Sequence, residues 1–268
     1  MHTTFDFSDR QVFIFGGTSG INLGIAECFA QAGAAVAVAS RSQDKVDAAV
    51  SRLTELGSNA SGYSLDVRDS DAVEAALATH AEQSGSVDVL VSGAAGNFPA
   101  LAHKMSPNAF KSVVDIDLLG SFHVLRAAFP YLKKPGASVI NISAPQAFIP
   151  MPLQSHVCAA KAGVDMLTRT LALEWGGIGI RVNSISPGPI DNTEGMARLA
   201  PNEAAREACR KSVPMQRFGA ASEIGQAAMF LSSDAAAYVS GVVLPVDGGW
   251  SVAGAGGMML AAALMPER

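Results

Sequence analysis

The glycine-rich turn Gly16-Gly17-Thr18-Ser19-Gly20-Ile21-Asn22-Leu23-Gly24 constrains this chain more than any other stretch. It follows residues 11–15, a short apolar run that reads as a buried strand, and leads into 21–32, an amphipathic helix. Glycine permits the sharp turn and lets backbone N–H groups approach a pyrophosphate. A helix starting near Gly20 points its positive end at that anion. Strand, glycine-rich turn and helix in this order fit a parallel sheet with crossover helices. Gly16, Thr18, Ser19, Gly20, Ile21 and Asn22 are therefore candidate dinucleotide contacts. Asn22 fits such a turn, because asparagine tolerates a left-handed backbone better than most residues.

The same alternation continues. Strands are expected at 34–39, 60–65, 87–91, 137–142, 180–185 and 241–247, with helices between them. This gives a Rossmann-type, doubly wound α/β fold with a mostly parallel seven-stranded sheet, read as one domain over 1–268. Apolar residues make up 49% of the chain, enough to cover both faces of such a sheet. The second strand ends Ala39-Ser40-Arg41-Ser42, with no acid to meet a ribose 2′-hydroxyl. Ser40 and Arg41 can instead hold a 2′-phosphate, which favours NADP(H) over NAD.

Charge and cysteine usage exclude other classes. The net charge is −5 with no basic run, which argues against a nucleic-acid surface. The three cysteines are widely spaced and form no metal or disulfide pattern, as expected in a reducing cytoplasm. The N-terminus has no apolar secretion core, and the apolar tail at 252–265 is too short to span a membrane. That tail is expected to pack on a neighbour or form a cover.

Farther along stands Leu153-Gln154-Ser155-His156-Val157-Cys158-Ala159-Ala160-Lys161-Ala162-Gly163-Val164-Asp165, within a helix expected at 154–175. Lys161 and Asp165 share one helical face, where an ordinary surface ion pair is the simplest reading. The stretch resembles the Tyr-x-x-x-Lys helix of the short-chain dehydrogenase/reductase family, with Val157 in the tyrosine position. The glycine-rich turn resembles the same family's Thr-Gly-x-x-x-Gly-x-Gly, with Phe15 and Asn22 as departures. The stretch Ser92-Gly93-Ala94-Ala95-Gly96-Asn97-Phe98 replaces the family's asparagines with Ser92 and Gly93, and its Gly96-Asn97-Phe98 extension resembles the 2,4-dienoyl-CoA reductases of peroxisomal type. The resemblance covers about residues 8 to 250.

The resemblance implies roles for further positions. Asp66 and Val67 lie against the adenine, although Asp66 also suits a cap on a helix starting near Ser70. Ala94 borders the nicotinamide half of the cofactor. The segment Pro187, Gly188, Ile190 and Thr193 closes over the carboxamide, followed by a substrate lid around 191–215. Lys161 holds the nicotinamide ribose. Asp117, where most of the family has asparagine, and Asp165 match the dienoyl-CoA reductases. Arg68, Phe98, Ser106, Asn108, Ser143 and Arg198 become contacts to an acyl-CoA substrate. Residues 145–152, with three prolines, form a stiff pocket wall; a tyrosine that a related branch carries there is Gln146 here. Helices at 110–131 and 154–175 match the family's association faces, implying a homodimer or homotetramer.

The expected activity is NADPH-dependent reduction of a conjugated enoyl thioester, most simply a 2,4-dienoyl-CoA, with Asp117, Lys161 and Asp165 catalytic and no metal. Two alternatives remain. One is a reductase of a non-CoA ketone or enone, with His156, about 100° around the helix from Val157, or a water as proton donor. The other is a non-catalytic NADP-binding protein.

Overall fold

Successive residues of a strand face opposite sides of a sheet, so a strand covered on both sides is apolar at nearly every position. In the computed structural model, which describes residues 4–254, strand β1 (Gln11–Phe15) meets that demand. Its Val12 and Ile14 enter the core on one face, and Phe13 and Phe15 the core on the other. The same split runs through β2 (Ala35–Ser40) and β4 (Val89–Ser92). With β3 (Ser61–Ser64), β5 (Ser138–Ile142), β6 (Arg181–Pro187) and β7 (Val243–Val246), they form one sheet in the order β3-β2-β1-β4-β5-β6-β7. Each strand pairing is parallel.

Helices α1 (Gly20–Gln31), α2 (Gln43–Glu55) and α9 (Ala221–Ser232) cover one face through Phe29, Leu53 and Ile224. Helices α3 (Ser70–Ser84), α5 (Gly120–Ala128) and α6 (Ser155–Gly176) cover the other through Leu77, Leu125 and Trp175. The strand order reverses between β1 and β4, and in such sheets ligands bind beyond the strand ends at this switch point.

Several boundaries differ from the sequence expectation for physical reasons. Strand β4 starts later than 87 because Val87 turns its N–H to the carbonyl of Tyr131. The helix expected at 110–131 is replaced by α4 (Pro107–Val114), a π-helical turn at Asp115–Leu119, and α5. Asp69, not Asp66, caps α3 by accepting from the N–H groups of Asp71 and Ala72. Asn22 is not left-handed: it lies within α1, and the positive φ angles fall on Gly16 and Gly20. The segment 191–215, expected as a lid, contains α7 (Glu194–Leu199) and α8 (Glu203–Ser212). Most of the apolar tail falls outside the described residues. Among the described residues, no helix is long and apolar enough to cross a membrane.

Helix α1 approaches α9 at Gly24, where a Cβ would come 2.4 Å from the Cβ of Ala221. Gly24→Ala is expected to destabilise the protein by about 1–3 kcal/mol through overpacking. Gly176→Ala, with nothing within 4 Å of the added atom, is expected to be neutral or slightly stabilising. Urea unfolding of the two variants checks this.

Candidate active site

The glycine-rich turn is shaped for an anion. Gly20 takes φ +54°, and the Ser19 side chain leaves the first-turn N–H groups of α1 uncapped. No acid stands in that turn to compete with a phosphate. From it runs a groove of about 220 Å³. Of the sequence candidates, Gly16, Thr18, Ser19, Asn22, Ser40, Arg41, Asp66, Val67 and Ala94 line this groove. The residues present therefore fit a dinucleotide. Lys45 lines the groove as well. It is not among the sequence candidates, although it stands only four residues after Arg41.

The opposite loop is placed by β6. Pro187 ends that strand, and Gly188 packs so tightly on Asp247 that a Cβ would come within 2.6 Å of its Cα. Ile190 is buried. Thr193 donates to the carbonyl of Ile190 at 2.9 Å and accepts from Met196 N–H at 3.2 Å, capping α7. Its methyl stands 3.7 Å from where a Cβ on Gly20 would lie, so this loop touches the glycine-rich turn.

The centre of the site is charged and buried. Lys161 reaches from α6 to donate to the carbonyl of Ile142 at the end of β5, at 2.9 Å. Its Nζ lies 3.3 Å from Asp117 Oδ2, with side-chain exposures of 6% and 1%. Asp117 Oδ1 accepts the N–H of Gly96 at 2.7 Å. Lys161 therefore pairs across elements with Asp117, and the simple ion pair with Asp165 on its own helix does not form. Asp117 sits in the π turn, a distortion frequent at functional sites.

Asp165 is also buried, and its Oδ1 has no hydrogen-bond partner. Burial pushes its carboxyl above the ordinary range. The Ser143 hydroxyl, the charges of Arg169 and Lys161 and the Ser184 hydroxyl only partly oppose this. Ser143 Oγ is itself buried without a hydrogen bond within 3.5 Å, so both groups have unused capacity.

The tyrosine position is closed to proton chemistry. Val157 is buried with Val113 and Ala160 in an apolar cluster, against which Phe98 packs. His156 is fully buried, its ring 4.5 Å from that of Phe98, and neither ring nitrogen has a partner. Burial lowers its pKa despite the Phe98 backbone and the Asp117 charge, so the ring is neutral at pH 7.

The remaining candidates lie farther out. Arg68 forms a two-pronged ion pair with Asp66 at 2.6–3.1 Å, and this contact holds the Asp66 carboxyl below the ordinary range. Ser106 is exposed and caps α4 by accepting from Ala109 N–H at 3.1 Å; Asn108 is exposed beside it. Arg198 of α7 donates to the carbonyl of Asn97 at 2.8 Å, bridging α7 to the loop after β4.

Residues 16–251 match the family described as enoyl-(acyl carrier protein) reductase. The chain is 44% identical to the peroxisomal 2,4-dienoyl-CoA reductase of Arabidopsis thaliana, over 88% of this chain and 82% of that one. It is 41% identical to the peroxisomal 2,4-dienoyl-CoA reductase of Saccharomyces cerevisiae, over 91% and 84%. Among solved structures, a short chain dehydrogenase from Bacillus anthracis superposes with TM-score 0.81 at 35% identity, over 90% and 96%. A gluconate 5-dehydrogenase from Burkholderia cenocepacia, in complex with NADP and tartrate, gives TM-score 0.86 at 29% identity, over 92% and 98%.

A raised carboxyl pKa has a consequence for stability. Asp165 binds its proton more tightly when folded than when unfolded, so its ionisation opposes folding as pH rises past its native pKa. Asp165→Asn is expected to melt higher than the wild type at pH 7, with the gain shrinking as pH falls and the native carboxyl takes up its proton. Thermal melts of both proteins across pH check the sign.

Proposed function

Because the chain belongs to the short-chain dehydrogenase/reductase family, we propose that it is an NADPH-dependent reductase of conjugated enoyl thioesters, acting on a 2,4-dienoyl-CoA. The observation that carries this reading is the replacement of the proton-donating phenol by buried Val157, beside a buried set of two carboxylates and a lysine. The dienoyl-CoA reductases among the relatives support it.

In this reading the glycine-rich turn and the first turn of α1 hold the pyrophosphate, Asp66, Val67 and Ala94 flank the nucleotide, and Pro187 to Thr193 close the nicotinamide end. Ser40, Arg41 and Lys45 hold the 2′-phosphate, which selects NADPH. Bound there, the reduced nicotinamide supplies a hydride. The chain's own residues manage charge and proton. Carbonyl reduction concentrates charge on one oxygen and calls for a strong donor beside it. Reduction of a conjugated dienoyl thioester spreads the charge into a dienolate, which hydrogen bonds at the thioester oxygen can hold. The proton is then delivered to carbon, for which a carboxyl group or a water oriented by one suffices.

Lys161 has a third N–H beyond its contacts with Ile142 and Asp117, and we assign it to the ribose. Asp165 has an unpartnered oxygen and a carboxyl held toward its protonated form, which suits it to orient or supply the proton. Asp117 positions Lys161 and completes the relay. Phe98 and Ser143 border the acyl group. Arg68, Ser106, Asn108 and Arg198 meet the CoA moiety from the rim, with α7 and α8 as the lid of a single domain. Phe122, Met166 and Leu173 leave apolar surface on α5 and α6, which supports self-association there as a dimer or tetramer. Cys28, Cys158 and Cys209 are free thiols, compatible with the cytoplasm.

The test is NADPH oxidation, followed by absorbance, with a 2,4-dienoyl-CoA beside a simple ketone and a cyclic enone. Turnover with the dienoyl-CoA supports the reading. Turnover with the enone alone moves the substrate outside the thioesters, and tight NADPH binding without turnover of any of them points to a binding protein. Asp165→Ala is expected to lower kcat by at least about 100-fold while NADPH binding persists. Lys161→Ala weakens both. Arg41→Ala and Lys45→Ala each reduce the preference for NADPH over NADH by about tenfold or more, measured by titrating both cofactors.

A further inference from the structure

Asn22 and Gly93 stand in sequence as two separate departures from one pattern; in the fold they touch. The Asn22 side chain, 8% exposed in the first turn of α1, donates from Nδ2 to the carbonyl of Gly93 at 2.7 Å. A Cβ on Gly93 would lie 2.4 Å from Asn22 Nδ2 and 2.5 Å from its Oδ1, closer than such atoms come. The amide thus lies flat over the Gly93 backbone and fills the volume that a side chain at 93 would take. Neither residue can change alone without a clash or a void.

The contact sits at the switch point. Gly93 continues from β4 and donates to the carbonyl of Phe15 at 3.1 Å, and a Cβ on Gly16 would also meet the Asn22 amide at 3.0 Å. The side chain therefore ties three segments together: the glycine-rich turn, the start of α1 and the loop after β4. Its other atom is unused. Asn22 Oδ1 is buried and has no hydrogen-bond partner, and the residue lines the candidate cofactor groove. Flipping the amide would set Oδ1 against the Gly93 carbonyl, acceptor against acceptor, so the observed orientation is the favoured one. An amide oxygen only accepts, and a buried acceptor left alone costs free energy. Its partner is therefore a donor. Phosphate oxygens, which are acceptors at neutral pH, are excluded, and the ribose hydroxyls of a dinucleotide qualify.

We propose that Asn22 and Gly93 form one matched unit: the Asn22 amide ties the glycine-rich turn to the end of β4, and its oxygen accepts a ribose hydroxyl of the bound dinucleotide. The ligand half of this proposal rests on the cofactor reading above, and the tie does not. The test uses the full chain and the variants Asn22→Ala, Gly93→Ala and the double variant. Apo proteins are melted, and NADPH is titrated by fluorescence. Gly93→Ala alone is expected to melt lower or to be insoluble. The double variant recovers at least part of that loss, because removing the amide makes room for the new methyl. Asn22→Ala and the double variant, both folded, bind NADPH about tenfold more weakly, or about 1.4 kcal/mol.

A double variant no more stable or soluble than Gly93→Ala overturns the matched unit. An unchanged NADPH affinity in folded Asn22→Ala overturns the acceptor role. A wild type that binds no NADPH or NADH defeats the cofactor reading and the acceptor role with it, while the melting arm still judges the tie.

Discussion

The contact between Lys161 and Asp117, with both side chains almost wholly buried, is the interaction on which the site depends. Taking two charges out of water is costly unless their remaining hydrogen-bonding capacity is met nearby. Here the ammonium also donates to the carbonyl ending β5, and Asp117 Oδ1 accepts the Gly96 N–H from the loop after β4, while Asp117 Oδ2 makes no hydrogen bond and has the Lys161 charge at 3.3 Å. The pair thereby fixes three elements of different origin: α6, the π turn before α5, and the strand ends of the central sheet. The π turn presents Asp117 inward at the position where it meets both partners.

Around that pair the usual phenol is absent, and the geometry explains why its loss leaves a site rather than a ruin. The volume is not empty: Val157 packs with Val113 and Ala160, and Phe98 covers them, so α6 keeps its seat. In the proposed function the acid lies about two turns onward along α6, at Asp165, whose burial favours the protonated carboxyl. Buried, neutral His156 does not replace the phenol as a charged acid. A chain freed of catalytic duty has no physical reason to keep two carboxylates and an ammonium out of water.

Much of the fold was legible in the sequence because it rests on local periodicity: apolar strands covered on both faces, amphipathic helices, and a glycine-rich turn between the first pair. What escaped depends on contacts between distant segments. The spacing of Lys161 and Asp165 marks a shared face, yet it cannot reveal that Asp117 arrives from another element to take the ammonium. Nothing in the spacing of apolar residues marks the π turn, so 110–131 read as one helix. Asn22 read as a tolerated turn residue because its partner, Gly93, lies 71 positions away. Lys45 was hidden in the polar face of α2, and the capping roles of Asp69 and Ser106 emerged only with the helix starts.

In the proposed chemistry, buried carboxyl groups deliver a proton to carbon, in a reaction that elsewhere relies on a phenol. Turnover of a 2,4-dienoyl-CoA with unlabelled NADPH in D2O, followed at once by NMR of the product, reads the face of the carbon on which the solvent deuterium arrives. Deuterium on a single face is expected, because a fixed donor reaches the dienolate from one side. An equal mixture of the two faces would mean that the dienolate takes its proton from bulk water, and would contradict delivery by the protein.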